Sequence, residues 1–264
     1  MSELFSLFYE TTGICTDTRN IIPDSLFIAL KGHNFNGNLF AENAIEKGAK
    51  FAIVDQKEFA DENKIFFVPN TLNFLQDLAR YHRAKFNIPV IGITGSNGKT
   101  STKELMYSVL SKKFNTLATQ GNLNNHLGVP FTLLRMTKEH EMAIIEMGAN
   151  QPGDIQELCE IASPTHGIIT NIGKAHLEGF GDLEGVVKTK SALYQSVRKQ
   201  NGVLFYNEDD KLIKSLLDNT TENISYGKEN AVITGRILEL TPYISMSWKS
   251  SAYRSGNINT NMVG

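Results

Sequence analysis

The stretch Val90–Leu105, VIGITGSNGKTSTKEL, carries an apolar run into a glycine-containing turn and then into a segment of helical composition. After Gly95, the backbone N–H groups of Ser96, Asn97 and Gly98 in such a turn point into one concavity. A helix opening at Lys99 adds the partial positive charge of its N-terminus, so the segment forms an anion cradle. Lys99 would reach the outer phosphates of a nucleotide, and the Thr100 hydroxyl, with Ser101 next to it, would face a phosphate-bound Mg²⁺. The common loop G-x-x-x-x-G-K-[ST] has a glycine where this chain has Ile93, flanked by Gly92 and Gly95. The spacing is therefore that of a variant loop.

A metal on such a phosphate needs a carboxylate. Glu146 closes the apolar run MAIIEM, where an acid packs poorly unless it is paired or metal-bound. His176, in NIGKAHLEGFG, follows the apolar run HGIITNI and could join Glu146 on a cation. VVKTKSALY sets Lys188 and Lys190 on a helical pattern, and their spacing alone reads as a solvated surface pair.

These residues need elements that bring them together. From Pro89 the apolar runs VIGIT, MAIIEM, HGIITNI and GVLFYN are separated by helix-length segments, which predicts a mainly parallel sheet covered by helices. Each run ends in a polar cluster, and such sheets bind ligands at the carboxyl ends of their strands. Before Pro89, the runs SLFIAL, KFAIVD and KIFFVP alternate with helical patterns, which predicts a small N-terminal α/β domain over residues 1–87. Asn87, Ile88 and Pro89 break the preceding helical pattern, so the second domain is placed at 88–264. Farther on, AVITGRILELTPYISMSWKS alternates as two strands do.

Lys and Arg number 26 against 28 Asp and Glu, a formal net charge of -2 that gives no nucleic-acid-binding stripe. Cys15 and Cys159 lie far apart without metal-ligand spacing and read as reduced thiols. The N-terminus lacks the pattern of a signal peptide, and no run approaches the roughly 20 apolar residues of a membrane span. A cytoplasmic, monomeric protein without membrane insertion is expected.

With these motifs in view, GITGSNGKTST resembles the signature loop of the Mur ligases, the ATP-dependent amide-forming enzymes of peptidoglycan precursor synthesis. The stretches GNLNNHLGVPFTLLR, IIEMGANQPGDI, NIGKAHLEGFG and VVKTKSALY are similar to the type that joins D-alanyl-D-alanine to UDP-MurNAc-tripeptide. CTDTRNIIPDSLFIALKGHNFNGNLFAENAIEKGAKFAIVD resembles the uridine-nucleotide-binding domain of the family. The resemblance implies ATP and Mg²⁺ as cofactors. It implies that Lys99 and the Gly95–Ser101 loop hold the ATP phosphates, that Thr100 binds one Mg²⁺, and that Glu146 and His176 bind a second. Lys190 then matches a lysine that CO₂ converts to a carbamate, which helps to position that metal. Asn207 and Asp210 match a motif near the adenine. Asn122, Asn124 and Asn125 lie in the segment beside substrate and phosphates, and Thr18, Arg19, Lys31 and Gly32 in segments lining the uridine nucleotide.

Two departures carry expectations of their own. Where the family often reads F-D-G-H, this chain has Phe35, Asn36, Gly37 and Asn38. The family also carries a third, C-terminal domain, so these 264 residues are expected to be the first two domains of a longer enzyme. On that expectation the chain alone binds nucleotide and UDP-substrate without turnover. The alternatives are that it is only such a binding module, or that it belongs to a Mur-type ligase with another amine acceptor.

Overall fold

The computed structural model describes residues 2–61, 63–173, 177–218 and 220–262. Helix α1 (Ser2–Tyr9) leads into a four-stranded parallel sheet, ordered β1-β2-β5-β6, built from β1 (Ile14–Cys15), β2 (Leu26–Ile28), β5 (Phe51–Val54) and β6 (Ile65–Phe67). A hairpin of β3 (Lys31–Gly32) and β4 (Phe35–Asn36) and the short helix α2 (Ala41–Glu46) fill the β2-to-β5 crossover. Leu26, Phe27 and Ile28 are all buried, as expected of a strand covered on both sides.

The asparagines of the F-N-G-N stretch turn inward. Asn38 is fully buried, and its amide donates to Asn36 Oδ1 and Asp55 Oδ1, both at 2.8 Å, while its Oδ1 accepts from Asp55 N. The two positions thus hold the turn together.

Helix α3 (Thr71–Arg83) starts at an Asn70 cap and turns Phe74, Leu75, Leu78 and Ala79 into a core shared by both halves of the chain. Its last residue, Arg83, is buried and donates to the carbonyls of Ala162, Ser163 and Phe86. A guanidinium placed there satisfies the carbonyls at a helix end that have no intrahelical partner.

The second sheet has nine strands in the order β15-β14-β13-β12-β11-β10-β7-β9-β8. Its parallel part comprises β7 (Val90–Thr94), β8 (Thr116–Ala118), β9 (Met142–Glu146), β10 (His166–Ile169), β11 (Val203–Asn207) and β12 (Glu222–Gly227), with β13 (Ile233–Glu239) pairing parallel to β12. The two strands predicted after Asn219 are β13 and β14 (Ser245–Lys249), an antiparallel pair extended by β15 (Ile258–Asn259).

The alternation of side chains along β7 sorts the helices. Val90 joins the core formed with α5 (Gly128–Leu133), α6 (Asp154–Ala162) and α8 (Leu183–Lys199), whereas Ile91 and Ile93 pack with Met106 and Leu110 of α4 (Lys99–Leu110). Short helices α7 (Leu177–Phe180) and α9 (Lys211–Ser215) complete the described elements. The chain runs from β7 to β8 and β9 on one side and then to β10 on the other, so the strand order reverses around β7. That reversal opens a crevice at the carboxyl end of β7, directly before Gly95. No described helix is long and apolar enough to cross a membrane.

Candidate functional site

The turn after β7 is closed by two glycines with positive φ, Gly95 at 154° and Gly98 at 75°. Gly98 is the residue before α4 and has no side-chain cap. The first bond of the helix runs from Thr102 N to Gly98 O, which leaves the N–H groups of Lys99, Thr100 and Ser101 as its open donors. An anion would meet these donors together with the helix dipole.

The residues after β10 fix the loop from behind. Ser96 N donates to Asn171 O at 2.9 Å, and Asn97 N to Asn171 Oδ1 at 3.0 Å. Asn171 Nδ2 and Thr170 Oγ1 both donate to Asn97 O, at 2.9 and 2.6 Å. The sequence reading points the Ser96 and Asn97 N–H groups into the concavity. In the structure Asn171 takes both, and the open donors move into the first turn of α4. Thr170, Asn171 and Gly173, whose N–H donates to Ser96 Oγ, are structural members of the loop that motif reading missed. Thr170 had only its position at the carboxyl end of the strand beside β7 as a signal, whereas Asn171 and Gly173 also open the NIGKAHLEGFG stretch.

Two lysines share one acceptor here. Lys99 Nζ donates to Gly95 O at 2.9 Å and Lys190 Nζ to the same oxygen at 3.1 Å. Spacing alone made Lys188 and Lys190 a solvated pair. The structure leaves Lys188 exposed and buries Lys190, because α8 turns Val186, Lys190, Leu193 and Val197 toward the sheet. Burial, and then the positive charge of Lys99, push the Lys190 amine down from 10.5 to about 8. Two amines facing one carbonyl make a strongly positive floor suited to a polyphosphate.

The depressed value makes a stability prediction. From about pH 8 to the unfolded value near 10.5, the unfolded chain holds a proton that the folded chain has released. Stability from this group therefore rises with pH in that window and is at its minimum below it. Between pH 8 and 9.5 the wild type should gain stability over Lys190→Met in urea unfolding, on the order of 1–2 kcal/mol, whereas parallel pH profiles would contradict the assignment.

Glu146 closes β9 in full burial, with Oε1 accepting from Thr100 Oγ1 at 3.1 Å and from Asn124 Nδ2 at 2.8 Å. Its Oε2 is buried and has no hydrogen-bond partner among the described residues. A buried carboxylate oxygen left open beside the Thr100 hydroxyl and the phosphate cradle offers the oxygen donors that a hard divalent cation takes. The residues present therefore fit Mg²⁺ completed by phosphate oxygens. His176 lies outside the described residues, and no three described His, Cys, Asp or Glu side chains cluster as a metal site.

Asn122, Asn124 and Asn125 line a polar cavity of about 310 Å³ with Lys99, Asn150, Asp154 and Glu157. Asn125 also caps α5, its Oδ1 accepting from Leu127 N and Gly128 N. Asn207, at the end of β11, accepts from Asp209 N and lines a cavity of about 920 Å³ with Tyr226 and Trp248. Asp210 caps α9, its Oδ1 accepting from Leu212 N and Ile213 N, both at 3.0 Å. In the first sheet, Thr18 and Arg19 form one 3-10 turn, where Arg19 pairs with Asp17 at 2.7 Å. Lys31 and Gly32 lie on the β3–β4 hairpin, and Lys31 pairs with Asp55 at 2.8 Å.

Against protein families, residues 93–264 match the Mur ligase middle domain. The chain belongs to the Mur ligase family. Residues 10–83 match a second Mur ligase model, described as the catalytic domain of the family. A UDP-N-acetylmuramoyl-tripeptide–D-alanyl-D-alanine ligase of Buchnera aphidicola is 43% identical over 231 residues, covering 85% of this chain and 50% of the relative. The enzyme of that name from Bacillus subtilis is 37% identical over 227 residues, 84% of this chain and 50% of its own. This Mur ligase chain thus spans about half the length of the curated relatives it matches. Among solved structures, MurF from Acinetobacter baumannii superposes with a TM-score of 0.86 at 31% identity, over 98% of this chain and 60% of that one. MurF from Thermotoga maritima, solved in complex with ADP, gives a TM-score of 0.84 at 29% identity, over 96% and 58% of the two chains.

Proposed function

We propose that the protein acts in an ATP-dependent ligase of the MurF type, which adds D-alanyl-D-alanine to UDP-MurNAc-tripeptide in peptidoglycan precursor synthesis. The observation that carries this reading is the convergence of Lys99, Lys190, Thr100 and Glu146 on one cradle at the carboxyl end of β7. The names of the MurF relatives and the ADP-bound neighbour support it. Residues 1–87 are read as the UDP-substrate-binding domain, with Thr18, Arg19, Lys31 and Gly32 facing the nucleotide. Residues 88–264 are read as the ATP-binding domain, with Asn207 and Asp210 toward the adenine.

In the first step an oxygen of the tripeptide carboxylate attacks the γ-phosphorus of ATP. The bond to the bridging oxygen breaks, giving an acyl phosphate and ADP. The amine of D-alanyl-D-alanine then attacks the acyl carbon, loses a proton, and expels phosphate through a tetrahedral intermediate. Two anions must approach in the first step, and the fixed charge of Lys99 and the open N–H groups of α4 lower that repulsion. Asn122, Asn124 and Asn125 line the space in which the carboxylate would lie beside the phosphates. One Mg²⁺ held by Thr100 and a second held by Glu146 and, from the family likeness, His176, with a carbamylated Lys190 helping to position it, would supply further positive charge to the phosphate oxygens. The Lys190 amine, brought to about 8, has a neutral fraction that can attack CO₂, forming an N–C bond and releasing one proton.

Calorimetry tests this reading. ADP with Mg²⁺ and UDP-MurNAc-tripeptide should each bind once, and neither should displace the other. Competition between the two, or no heat from ADP, would count against it. In buffer containing ¹³C-bicarbonate the label should be taken up by the wild type and not by Lys190→Ala; equal uptake removes the carbamate from the proposal.

A further inference from the structure

Lys103 lies on α4 one turn beyond Lys99 and is completely buried, with no exposed side-chain surface. Lysine is almost never fully buried without a partner, because desolvating an ammonium costs several kcal/mol. A methionine would fill the same space without that cost. What an ammonium adds is a strong, directional hold on an oxygen.

That oxygen is the carbonyl of Thr119, which accepts from Lys103 Nζ at 2.8 Å; Glu104 Oε1, on an exposed side chain, lies 2.7 Å from the same nitrogen. Thr119 stands directly after β8, and its other polar groups are also engaged. Its N–H donates to Ile144 O at 3.0 Å and its hydroxyl accepts from Glu146 N at 3.0 Å. Glu146 Oε1 in turn accepts from Thr100 Oγ1, and Thr100 is on the same face of α4 as Lys103, three residues earlier. The contacts close a ring that runs from Thr100 to Glu146, to Thr119, to Lys103 and back along the helix. Asn124, five residues after Thr119, joins the ring through its bond to Glu146.

We propose that Lys103 is a positioning residue: through Thr119 it sets the separation between the Thr100 hydroxyl and the Glu146 carboxylate, the hydrogen-bonded pair read as facing the Mg²⁺ ions at the phosphates. Being buried, it touches neither phosphate nor metal. The assignment rests on the nucleotide reading above and deepens it.

The test compares ADP affinity with and without Mg²⁺ by calorimetry, in the whole chain, for wild type and Lys103→Met. The strengthening of ADP binding by Mg²⁺ is expected to fall about tenfold in Lys103→Met, the size usual for loss of a group that orients a metal ligand, while Mg²⁺-free affinity stays within about twofold. Lys103→Arg, which keeps a charged donor, should restore most of the Mg²⁺ effect. Thr119→Val breaks the other link of the ring and should reproduce the selective loss; it decides the matter if Lys103→Met does not fold. An intact Mg²⁺ effect in both Lys103→Met and Thr119→Val, or equal weakening with and without Mg²⁺, overturns the positioning role. A wild type that binds no ADP instead overturns the nucleotide reading, and this assignment with it.

Discussion

Gly95→Ala should melt roughly 5–15 °C below the wild type and lose ADP binding. An alanine Cβ at this position would lie 1.9 Å from Thr170 Oγ1, and the φ of 154° is one that side chains rarely adopt. The hydroxyl cannot rotate away freely, since it donates to Asn97 O at 2.6 Å and so holds the loop. Overpacking of about 1–3 kcal/mol and backbone strain of similar size act together, giving roughly 2–6 kcal/mol. Relief of the clash by a second substitution, Thr170→Ala, should recover part of the melting midpoint but not the affinity, because the bond to Asn97 is then gone. Differential scanning calorimetry and ADP titration of both variants check this. A Gly95→Ala chain that melts with the wild type and binds ADP normally would mean that the loop does not need this close approach.

The second large effect is expected at Lys99, and it should be almost entirely functional. Lys99→Met should weaken ADP and ATP binding by roughly 30- to 150-fold, the loss expected when charge-assisted bonds to phosphate worth about 2–3 kcal/mol disappear. Thermal stability should change little, since the Lys99 amine lies beside Lys190, whose amine is held down by burial and then by that charge. Burial, the larger cause, would still hold the Lys190 amine down, so removing Lys99 should raise it only part of the way toward the ordinary lysine range. Exposed Lys188 supplies the control, and Lys188→Met should bind nucleotide as the wild type does. If Lys99→Met and Lys188→Met bind alike, the cradle is not a phosphate site.

Much of this site was legible because it is local in sequence. A strand, two glycines and a lysine-threonine pair at a helix start define an anion cradle within eleven residues, whatever surrounds them. The acid ending an apolar strand was equally visible, because a carboxylate is costly in that place without a partner. Lys190 shows the limit. Helical spacing gave it the same face-neutral reading as Lys188, and only the packing of α8 on the sheet decided which of the two is buried. Asn171 opens the NIGKAHLEGFG stretch but nothing in it marks a role in the loop, Lys103 carries no motif, and the parts of both in the site depend on partners 74 and 16 residues away in the chain.

By itself, then, the sequence determined the α/β class, the parallel strands, the glycine turn Gly95–Thr100 and a carboxylate, Glu146, at a strand end, since each follows from periodicity or from the cost of an unpaired charge. The tertiary structure alone decided which N–H groups remain open to an anion, which lysine joins Lys99, and how Thr119 ties α4 to β9. Those relations rest on strand order, and strand order is set by packing between segments whose separation in sequence leaves no local mark.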